Sequence, residues 1–502
     1  MVRRKQGAAG PASHPSAPCG VKKNSLGVLA HLDQLWNQCF SDFDQRRLAA
    51  RAKTLSLSAL LCLGRHTVTG LLTTSGSQFQ DWSASYRLFS RDRLPVEAIF
   101  SVVRRAVVSE LPAHAPVCAV LDDSLLRRSG TRTPGVAWRR DPLGPRFQTN
   151  FVRAQRFLQT SLAMSAPDGS QRLVPIGFRH APTPAKPSKK ATESEQHQYR
   201  AQARAARLSR RAAEQIRDLR AALDAEASSQ RLLLVAFDGG YTNQTVLKGL
   251  PPNTTAIGRL RKDAHLLLRP DPQTRKARGR RLCYGAPAPT PEQVRTDDSP
   301  WQTLTLAHHG TSHPLRFKRR TGLMWRAAGA RQVLQLIVIA PLAYRLRKGS
   351  KLLYRDPAFL ICTDEKLDPR LIIETYFHRW DIEVNFREEK TLLGAGQAQV
   401  RCPRSVETAP ALTVASYALL LLATQRAFPG SRDALLPRPK WIPASTPTRI
   451  STQQAIHQLR AEVWGRGLDL DHFSGFASSL LADTNPEKSS FPLASAVCYA
   501  TA

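Results

Sequence analysis

The 502-residue sequence lacks the features that mark secreted, disulfide-bonded or membrane-spanning proteins. Its eight cysteines are scattered and form no CxxC pair, so a reduced compartment is expected. The basic N-terminus is followed by Gly, Pro, Ser and Ala instead of the apolar segment of a secretory signal. The longest apolar stretch, 409–423, falls short of the roughly 20 residues that a bilayer span needs and predicts a buried core helix. We therefore expect a cytoplasmic protein with no membrane partner.

Acidic residues are also scarce, since 39 Asp and Glu face 73 Lys and Arg and leave a net charge of +34. Such an excess of positive charge indicates a polyanionic partner. Apolar residues make up 42% of the chain, which excludes disorder of the chain as a whole. The length predicts about three domains, or one large domain with insertions.

Hydrophobic spacing divides the chain into helical, α/β and β-rich segments, with long helices predicted over 193–229 and 368–393. The segments are a disordered basic tail (1–25), a helical domain (26–112), an α/β core in two parts (113–265 and 334–428), a β-rich insertion (266–333) and a C-terminal region that could be helical and serve as a dimerisation element or a tail (429–502). Within the helical domain, 65–72 and 81–90 predict two short helices that resemble a helix-turn-helix, although an ordinary helical hairpin explains them equally well.

Two apolar strands predict a pair of carboxylates at one edge of a sheet. The first runs from Val117 and ends in Asp122 and Asp123, and the second runs over 231–237 and ends in Asp238. Neighbouring strands would bring these carboxylates together, whereas isolated Asp residues at strand ends commonly cap turns. Either Asp122 or Asp123 could be the partner of Asp238, with Asp122 favoured.

The predicted helix over 368–393 carries a narrow stripe of polar side chains. At about 100° per residue, Tyr376, Arg379, Glu383 and Lys390 fall on one face about 21 Å long, and Arg387 extends it. One acid among several cations suits an acid that holds a metal next to phosphates. Pairing within the helix, from Arg379 to Glu383 and from Glu383 to Arg387, explains the charges but not Tyr376 or Lys390.

The string from Tyr376 to Lys390 matches Y-x2-R-x3-E-x6-K, and it resembles the signature of DDE transposases of the insertion-sequence-four superfamily. The resemblance extends over roughly 50–425 and includes Val120–Ser124, Phe237–Tyr241, Arg259–Ala264 and Gly394–Arg401. It implies an RNase H-like α/β core, a mixed sheet flanked by helices, that is interrupted by a β-strand-rich insertion and preceded by an α-helical DNA-binding domain. Ser124 departs from the Thr that many relatives carry.

The resemblance implies metal-dependent phosphoryl transfer on DNA. Asp122, Asp238 and Glu383 would hold two Mg²⁺ ions, for which Mn²⁺ can substitute. Tyr376, Arg379, Lys390 and Arg387 would bind the transposon-end backbone, and the basic stretches that include Arg261 and Lys262 would track phosphates. An aromatic side chain of the insertion, Trp325 or Trp301, would receive a flipped base.

The implied partners are double-stranded DNA, both transposon terminal inverted repeats and target DNA, and a second copy of the chain in a homodimeric synaptic complex. The implied function is cleavage at transposon ends and strand transfer by a bacterial, nucleoid-associated enzyme. Two alternatives stay open. One is an inactive, transposase-derived DNA-binding regulator, and the other is an RNase H-like host nuclease.

Overall fold

The computed structural model describes most of the chain between residues 27 and 465 and a short C-terminal segment. The described ranges are 27–130, 132–142, 144–145, 147–165, 171–226, 228–271, 282–308, 311–330, 332–347, 349–429, 436, 439, 441, 449–465 and 493–500. The predicted disordered tail (1–25) and much of the region 429–502 lie outside them. The other segment boundaries remain predictions. One hydrophobic core includes residues of both the helical and the α/β segments, so packing marks no boundary between them.

Eleven strands form one sheet, and two short strands form a separate hairpin. The strands are β1 (Val117–Arg127), β2 (Ala137–Arg140), β3 (Phe151–Ser165), β4 (Gln171–His180), β5 (Leu233–Phe237), β6 (Thr254–Arg259), β7 (Leu267–Leu268), β8 (Gln302–His308), β9 (Thr311–Met324), β10 (Leu334–Ile339), β11 (Ala343–Tyr344), β12 (Leu353–Tyr354) and β13 (Ala358–Cys362). The order β4-β3-β1-β5-β6, with β1, β5 and β6 parallel and β3 antiparallel to β1, is that of an RNase H-like core. The predicted fold class is confirmed.

The insertion over 266–333 extends this sheet. Its long strand β9 pairs with β8, β7 and β10, and β10 continues through β13 to β6 of the core. The strands of the insertion therefore share hydrogen-bonded neighbours with the core, which fixes their position relative to the edge of the sheet where β5 and β6 end.

Helices pack against both faces of the sheet. They are α1 (Val28–Cys39), α2 (Arg46–Leu61), α3 (Val68–Thr74), α4 (Ser83–Ser90), α5 (Val96–Glu110), α6 (Glu193–Ala205), α7 (Leu208–Ala225), α8 (Gln244–Leu247), α9 (Pro291–Thr296), α10 (Pro369–Phe377), α11 (Arg379–Thr391), α12 (Pro403–Ala427), α13 (Thr452–Trp464) and α14 (Leu493–Cys498). The connection 75–82 between α3 and α4 is longer than the three- or four-residue turn of a helix-turn-helix, which favours the hairpin alternative.

Helix α12 is the central helix of the α-helical part of the protein. Among the described residues it is the one helix long and apolar enough to cross a membrane, and 89% of its apolar window is buried inside the protein. It packs against α1, α2, α5 and β4. The predicted core helix over 409–423 is thus found, and its apolar residues are covered by protein.

Three details differ from the predictions. Strand β1 does not end at Asp122 and Asp123, because its pairing with β3 continues to Arg127. The helix predicted over 193–229 is divided at Arg207, whose extended backbone lets α7 bury an apolar face while α6 buries no residue. The helix predicted over 368–393 is divided into α10 and α11 at His378, which keeps a helical backbone with a tightened turn (ψ −18°).

Candidate active site

Asp122 and Asp238 lie side by side at the centre of the sheet. Strands β1 and β5 are parallel neighbours, and Val120 pairs with Ala236, so the residue two positions further on each strand is at the same level. Adjacent strands are about 4.8 Å apart. The register therefore brings the two carboxylates together, as the strand pattern predicts, although β1 continues past them.

Asp122 and Asp123 point to opposite faces of the sheet, because successive side chains alternate along a strand. Asp122 faces α11, where Arg379 Nη1 lies 3.7 Å from its Oδ2. Asp123 accepts a 2.6 Å hydrogen bond from the Tyr241 hydroxyl and forms an ion pair with Arg156 at 3.2 Å. One carboxylate of the doublet is thus next to the signature helix, and the other is held by two side chains on the opposite face.

Glu383 shares a cation with Asp122. Arg379 Nη1 donates to Glu383 Oε1 at 2.9 Å, across one turn of α11. The Glu383 side chain is 59% exposed, whereas Arg379 and Asp122 are largely buried. The guanidinium therefore stands between the carboxylate of the strand and that of the helix. Of the two pairings within the helix that the sequence allowed, the one between Arg379 and Glu383 is present, and its guanidinium also lies next to Asp122.

The Asp122 carboxyl group is in an environment that disfavours its charged form. Burial raises its pKa from 3.8 to about 7, and the neighbouring Asp238 adds to this shift. The backbone N–H of Asp123, which donates to Asp122 Oδ1 at 2.8 Å, and the charge of Arg379 oppose it. Positive charge beyond that of Arg379 would stabilise the ionised carboxylate.

The other signature residues extend from this centre in both directions. The Tyr376 hydroxyl bonds to Arg379 and lies near Arg259 and Asp238, and burial raises its pKa. At the other end of α11, the Lys390 ammonium lies 5.8 Å from the centre of the Phe386 ring and near Arg127, the last residue of β1. Arg387 is exposed. The predicted stripe is therefore present across the break at His378.

The rear face of α11 is anchored by buried polar contacts. Glu388 Oε2 accepts hydrogen bonds of 2.6 Å from both the Tyr417 hydroxyl of α12 and the Thr452 hydroxyl of α13. Asn385 donates to the Leu173 carbonyl of β4 at 3.2 Å. Three separate elements thus fix the rotation of α11, which decides where Arg379 and Glu383 point.

Two cavities open beside Asp238, and both are lined by Arg259. The larger, about 1190 Å³, contains Arg261, Lys262 and Trp325 together with Gly239, which follows Asp238. The three residues predicted to contact DNA outside the signature are thus found in one cavity. Trp301 is elsewhere, with Lys318 Nζ 4.8 Å from its ring centre.

The smaller cavity, about 430 Å³, is mainly aromatic. Tyr376, Phe377 and Trp380 of the signature region line one side, and the β11–β12 hairpin lines the other. Arg355 lies 4.7 Å from the centre of the Trp380 ring. No local pattern in the sequence predicts that this hairpin lies against α10.

Sequence reasoning also missed Tyr241 and Arg156, and it included Arg259 only as part of a basic stretch. Tyr241 follows Asp238 by three residues and belongs to the stretch Phe237–Tyr241 that carries part of the resemblance. The sequence therefore contained a signal that Tyr241 lies near the acids. Arg156 belongs to β3, and only the register with β1 places it beside Asp123. Arg259 ends β6 and faces Tyr376 through the order of the strands.

The three acids carry the carboxylate oxygens that divalent cations bind, but their side chains are not arranged around a common point. Among the residues that the structure describes, no three His, Cys, Asp or Glu form a group that could hold a metal ion. Asp122, Asp238 and Glu383 offer the hard carboxylate oxygens that Mg²⁺ prefers. Burial and the neighbouring Asp238 raise the pKa of Asp122, so a bound cation would stabilise its ionised form. Because Glu383 is exposed, a change of its rotamer could bring it towards Asp122.

The strand order and the acids beside it define an RNase H-like nuclease core. A family model described as DDE superfamily endonuclease matches residues 37–321, more than half of the chain, and the chain belongs to this family. The matched range contains Asp122, Asp123 and Asp238 and ends before Glu383. A comparison with curated proteins finds no match. Enzymes of this family generally use divalent metal ions, so nuclease- or transposase-type chemistry is the activity class of the chain.

Proposed function

We propose that the protein is a transposase of the insertion-sequence-four type, which cleaves transposon ends and joins them to target DNA. The observation that carries this proposal is the shared contact of Arg379 with Asp122 and Glu383. Through this contact Glu383, the acid of the Y-x2-R-x3-E-x6-K string, lies close to Asp122 of β1. Asp238 is the neighbour of Asp122 on the adjacent strand.

In this proposal Asp122, Asp238 and Glu383 hold two Mg²⁺ ions, or Mn²⁺ in their place. Bound there, the cations would activate the attacking hydroxyl and neutralise the leaving oxygen of an in-line displacement. The role of the chain is to hold the ligands: the parallel register fixes Asp122 and Asp238, and the anchored rear face of α11 fixes Glu383. Asp123 serves to orient Tyr241 and Arg156.

Cationic side chains around the acids bind the DNA backbone in this proposal. Arg379 contributes positive charge beside the acids, where the reacting phosphate would be held. Tyr376 of α10 and Lys390 of α11 extend the contact along the two helices over a length of about 21 Å, comparable to several base-pair steps. Exposed Arg387 contributes at the rim. Arg261 and Lys262 line the larger cavity with Trp325 and bind phosphates there.

The aromatic cavity suits an extruded base. Its walls offer stacking surfaces on Trp380 and Tyr376, and its volume of about 430 Å³ admits a planar ring system. We assign the flipped base to this cavity in preference to Trp325 or Trp301, because Trp325 belongs to the larger, basic cavity and Trp301 lines neither of the two.

The proposed partners are the double-stranded terminal inverted repeats, target DNA and a second copy of the chain, since two ends must be joined in one complex. The net charge of +34 supports a DNA partner. The proposed setting is the bacterial cytoplasm, at the nucleoid.

One incubation separates this function from its alternatives. Purified full-length protein with Mg²⁺ and DNA that carries the terminal repeats flanking the reading frame should yield joined products. Cleavage without joining would indicate a host nuclease, and a mobility shift without cleavage would indicate a regulator. Glu383→Gln should abolish cleavage and retain DNA binding, with the exposed Glu214→Gln of α7 as matched control. Undiminished cleavage by Glu383→Gln would contradict the proposal.

A further inference from the structure

The sheet face that carries Asp122 is covered by α11 near the acids and opens to solvent beyond the end of that helix. Arg128 marks the last covered position, because its Nη1 donates to the carbonyls of Gly396 and Ala398, each at 2.6 Å, in the segment that follows α11. Further out lie β2 and the first residues of β3, where side chains of this face are exposed.

The open part of this face presents two aromatic rings and two guanidinium groups. Trp138 pairs with Arg153 across the strands, and Arg140 pairs with Phe151. Directly paired residues, and residues two apart on one strand, share a face. Trp138 is 68% exposed and Phe151 is 57% exposed. Strands β2 and β3 form an antiparallel pair that is distinct from the β11–β12 hairpin beside α10. We call the four residues Trp138, Arg140, Phe151 and Arg153 the hairpin face. The alternate residues of the two strands, Arg139 and Ala154, are buried.

The register shows that the hairpin face lies on the same side of the sheet as Asp122, beyond a buried stretch that includes Gln155 and Gln159. Asp122 pairs with Gln159, and the pairing of β1 with β3 has no bulge between Gln159 and Ala154. Arg153 is an even number of residues from Gln159 and therefore lies on the same side of the sheet. Six residues of strand span about 20 Å.

Exposed rings at this density need a partner in function, since large apolar side chains gain stability by burial. The neighbouring charges are mainly positive: Arg140 is exposed, and the Arg153 guanidinium, which also donates to the carbonyls of Ser129 and Gly130, lies 5.8 Å from the centre of the Trp138 ring. Asp141, next to Arg140, is paired with Arg127 at 2.9 Å. Aromatic rings interleaved with cations bind unpaired nucleotides, whose bases stack on the rings while the phosphates meet the cations. Paired bases keep their faces inside the duplex.

We propose that the hairpin face binds an unpaired stretch of DNA strand that leads away from the acids, with bases stacked on Trp138 and Phe151. The proposal rests on the proposed function in that DNA is the substrate. It adds a binding site about 20 Å from the reacting phosphate that distinguishes DNA with a single-stranded extension from blunt duplex.

Binding without chemistry tests this inference. The full-length protein is titrated in EDTA against a fluorescein-labelled duplex with a single-stranded extension and against the same duplex without it, and anisotropy is measured. Wild type should bind the extended duplex more tightly. Trp138→Ala should weaken that binding by about 5- to 100-fold, the loss of one stacked base, and leave blunt duplex unchanged. Trp138→Phe should retain most of the preference, and the exposed Trp441→Ala should behave as wild type.

Three results would overturn the inference: equal wild-type affinity for the two duplexes, equal loss on both in Trp138→Ala, or loss of self-association in Trp138→Ala, which would assign the face to a second copy. Because the side chain is exposed, an unchanged melting temperature shows that the variant is folded. Absence of all DNA binding by wild type would contradict the proposed function itself. Normal blunt-duplex binding with no benefit from the extension would contradict the hairpin face alone.

Discussion

The Tyr241 hydroxyl donates a 2.6 Å hydrogen bond to Asp123 Oδ1 and thereby engages the second carboxylate of the doublet on the face away from α11. Burial raises the pKa of Tyr241, and the charge of Asp123 adds to this, so the hydroxyl stays a donor. The adjacent Asp122 faces Arg379. Two consecutive acids therefore have different partners, which gives them different expected roles.

The doublet predicts unequal effects of two matched substitutions. Asp122→Asn should lower Mg²⁺-dependent cleavage of terminal-repeat DNA by on the order of 10³-fold, because a bound metal ion stabilises the transition state by several kcal/mol. Asp123→Asn should retain far more activity and lower the thermal stability instead, since it weakens the contacts to Tyr241 and Arg156. Cleavage rates and melting temperatures of both variants check this. Equal loss of cleavage in two folded variants would contradict it.

Arg379 is expected to compete with a divalent cation for Asp122 and Glu383. Removing its charge in Arg379→Ala should tighten Mn²⁺ binding to the DNA-free protein by roughly tenfold or more, since a unit charge about 4 Å away is worth up to about 4 kcal/mol near a protein surface. Isothermal titration measures this affinity. The same variant should cleave DNA poorly, because it loses a phosphate contact. Arg379→Lys keeps the charge and should keep the weaker Mn²⁺ affinity; tighter binding there would argue against competition.

Two buried carboxyl groups predict how stability depends on pH without metal. Burial raises the pKa of Asp122 to about 7 and that of Glu389 to about 8. Both groups bind protons more tightly when folded, so their stabilising contribution is complete below about pH 4 and is lost as pH rises through those values. In EDTA the melting temperature should therefore fall between pH 6 and pH 9. The fall corresponds to a loss of roughly a few kcal/mol in the free energy of unfolding.

The contributions of the two carboxyl groups can be separated by substitution. Asp122→Asn should flatten the lower part of the profile, and Glu389→Gln should flatten the upper part. Added Mg²⁺ should raise the melting temperature of wild type at pH 8 and leave that of Asp122→Asn nearly unchanged. A wild-type melting temperature that rises over the same pH range would show that the sign is wrong.

The buried anchor of α11 predicts a positioning effect of Tyr417. Tyr417→Phe removes the donor to Glu388 Oε2 and leaves Thr452 as the remaining one. Loss of a hydrogen bond to a charged group should lower the free energy of unfolding by about 1.5–3 kcal/mol. The maximal cleavage rate should fall more than the affinity for DNA, because Glu383 is displaced while the phosphate-binding surface stays. Stability loss with an unchanged cleavage rate would reduce Tyr417 to a structural role.

The sequence by itself determined the class of fold and the chemistry available to it. Periods of two and of about 3.6 residues placed most strands and helices, because these patterns are local. The strings around Asp122, Asp238 and Glu383 each stood in one element, so their residue types and offsets could be recognised without knowing the partners. The excess of positive charge needed no structure at all.

Tertiary structure decided every feature that depends on which strand lies next to which. The continuation of β1 past Asp123, the opposite faces of the doublet and the contact of Arg156 all follow from the register of β3, a partner more than 30 residues away in the sequence. The break at His378 and the position of the β11–β12 hairpin follow from packing around α10. Non-local hydrogen bonds and side-chain packing set these features, and no local spacing records them.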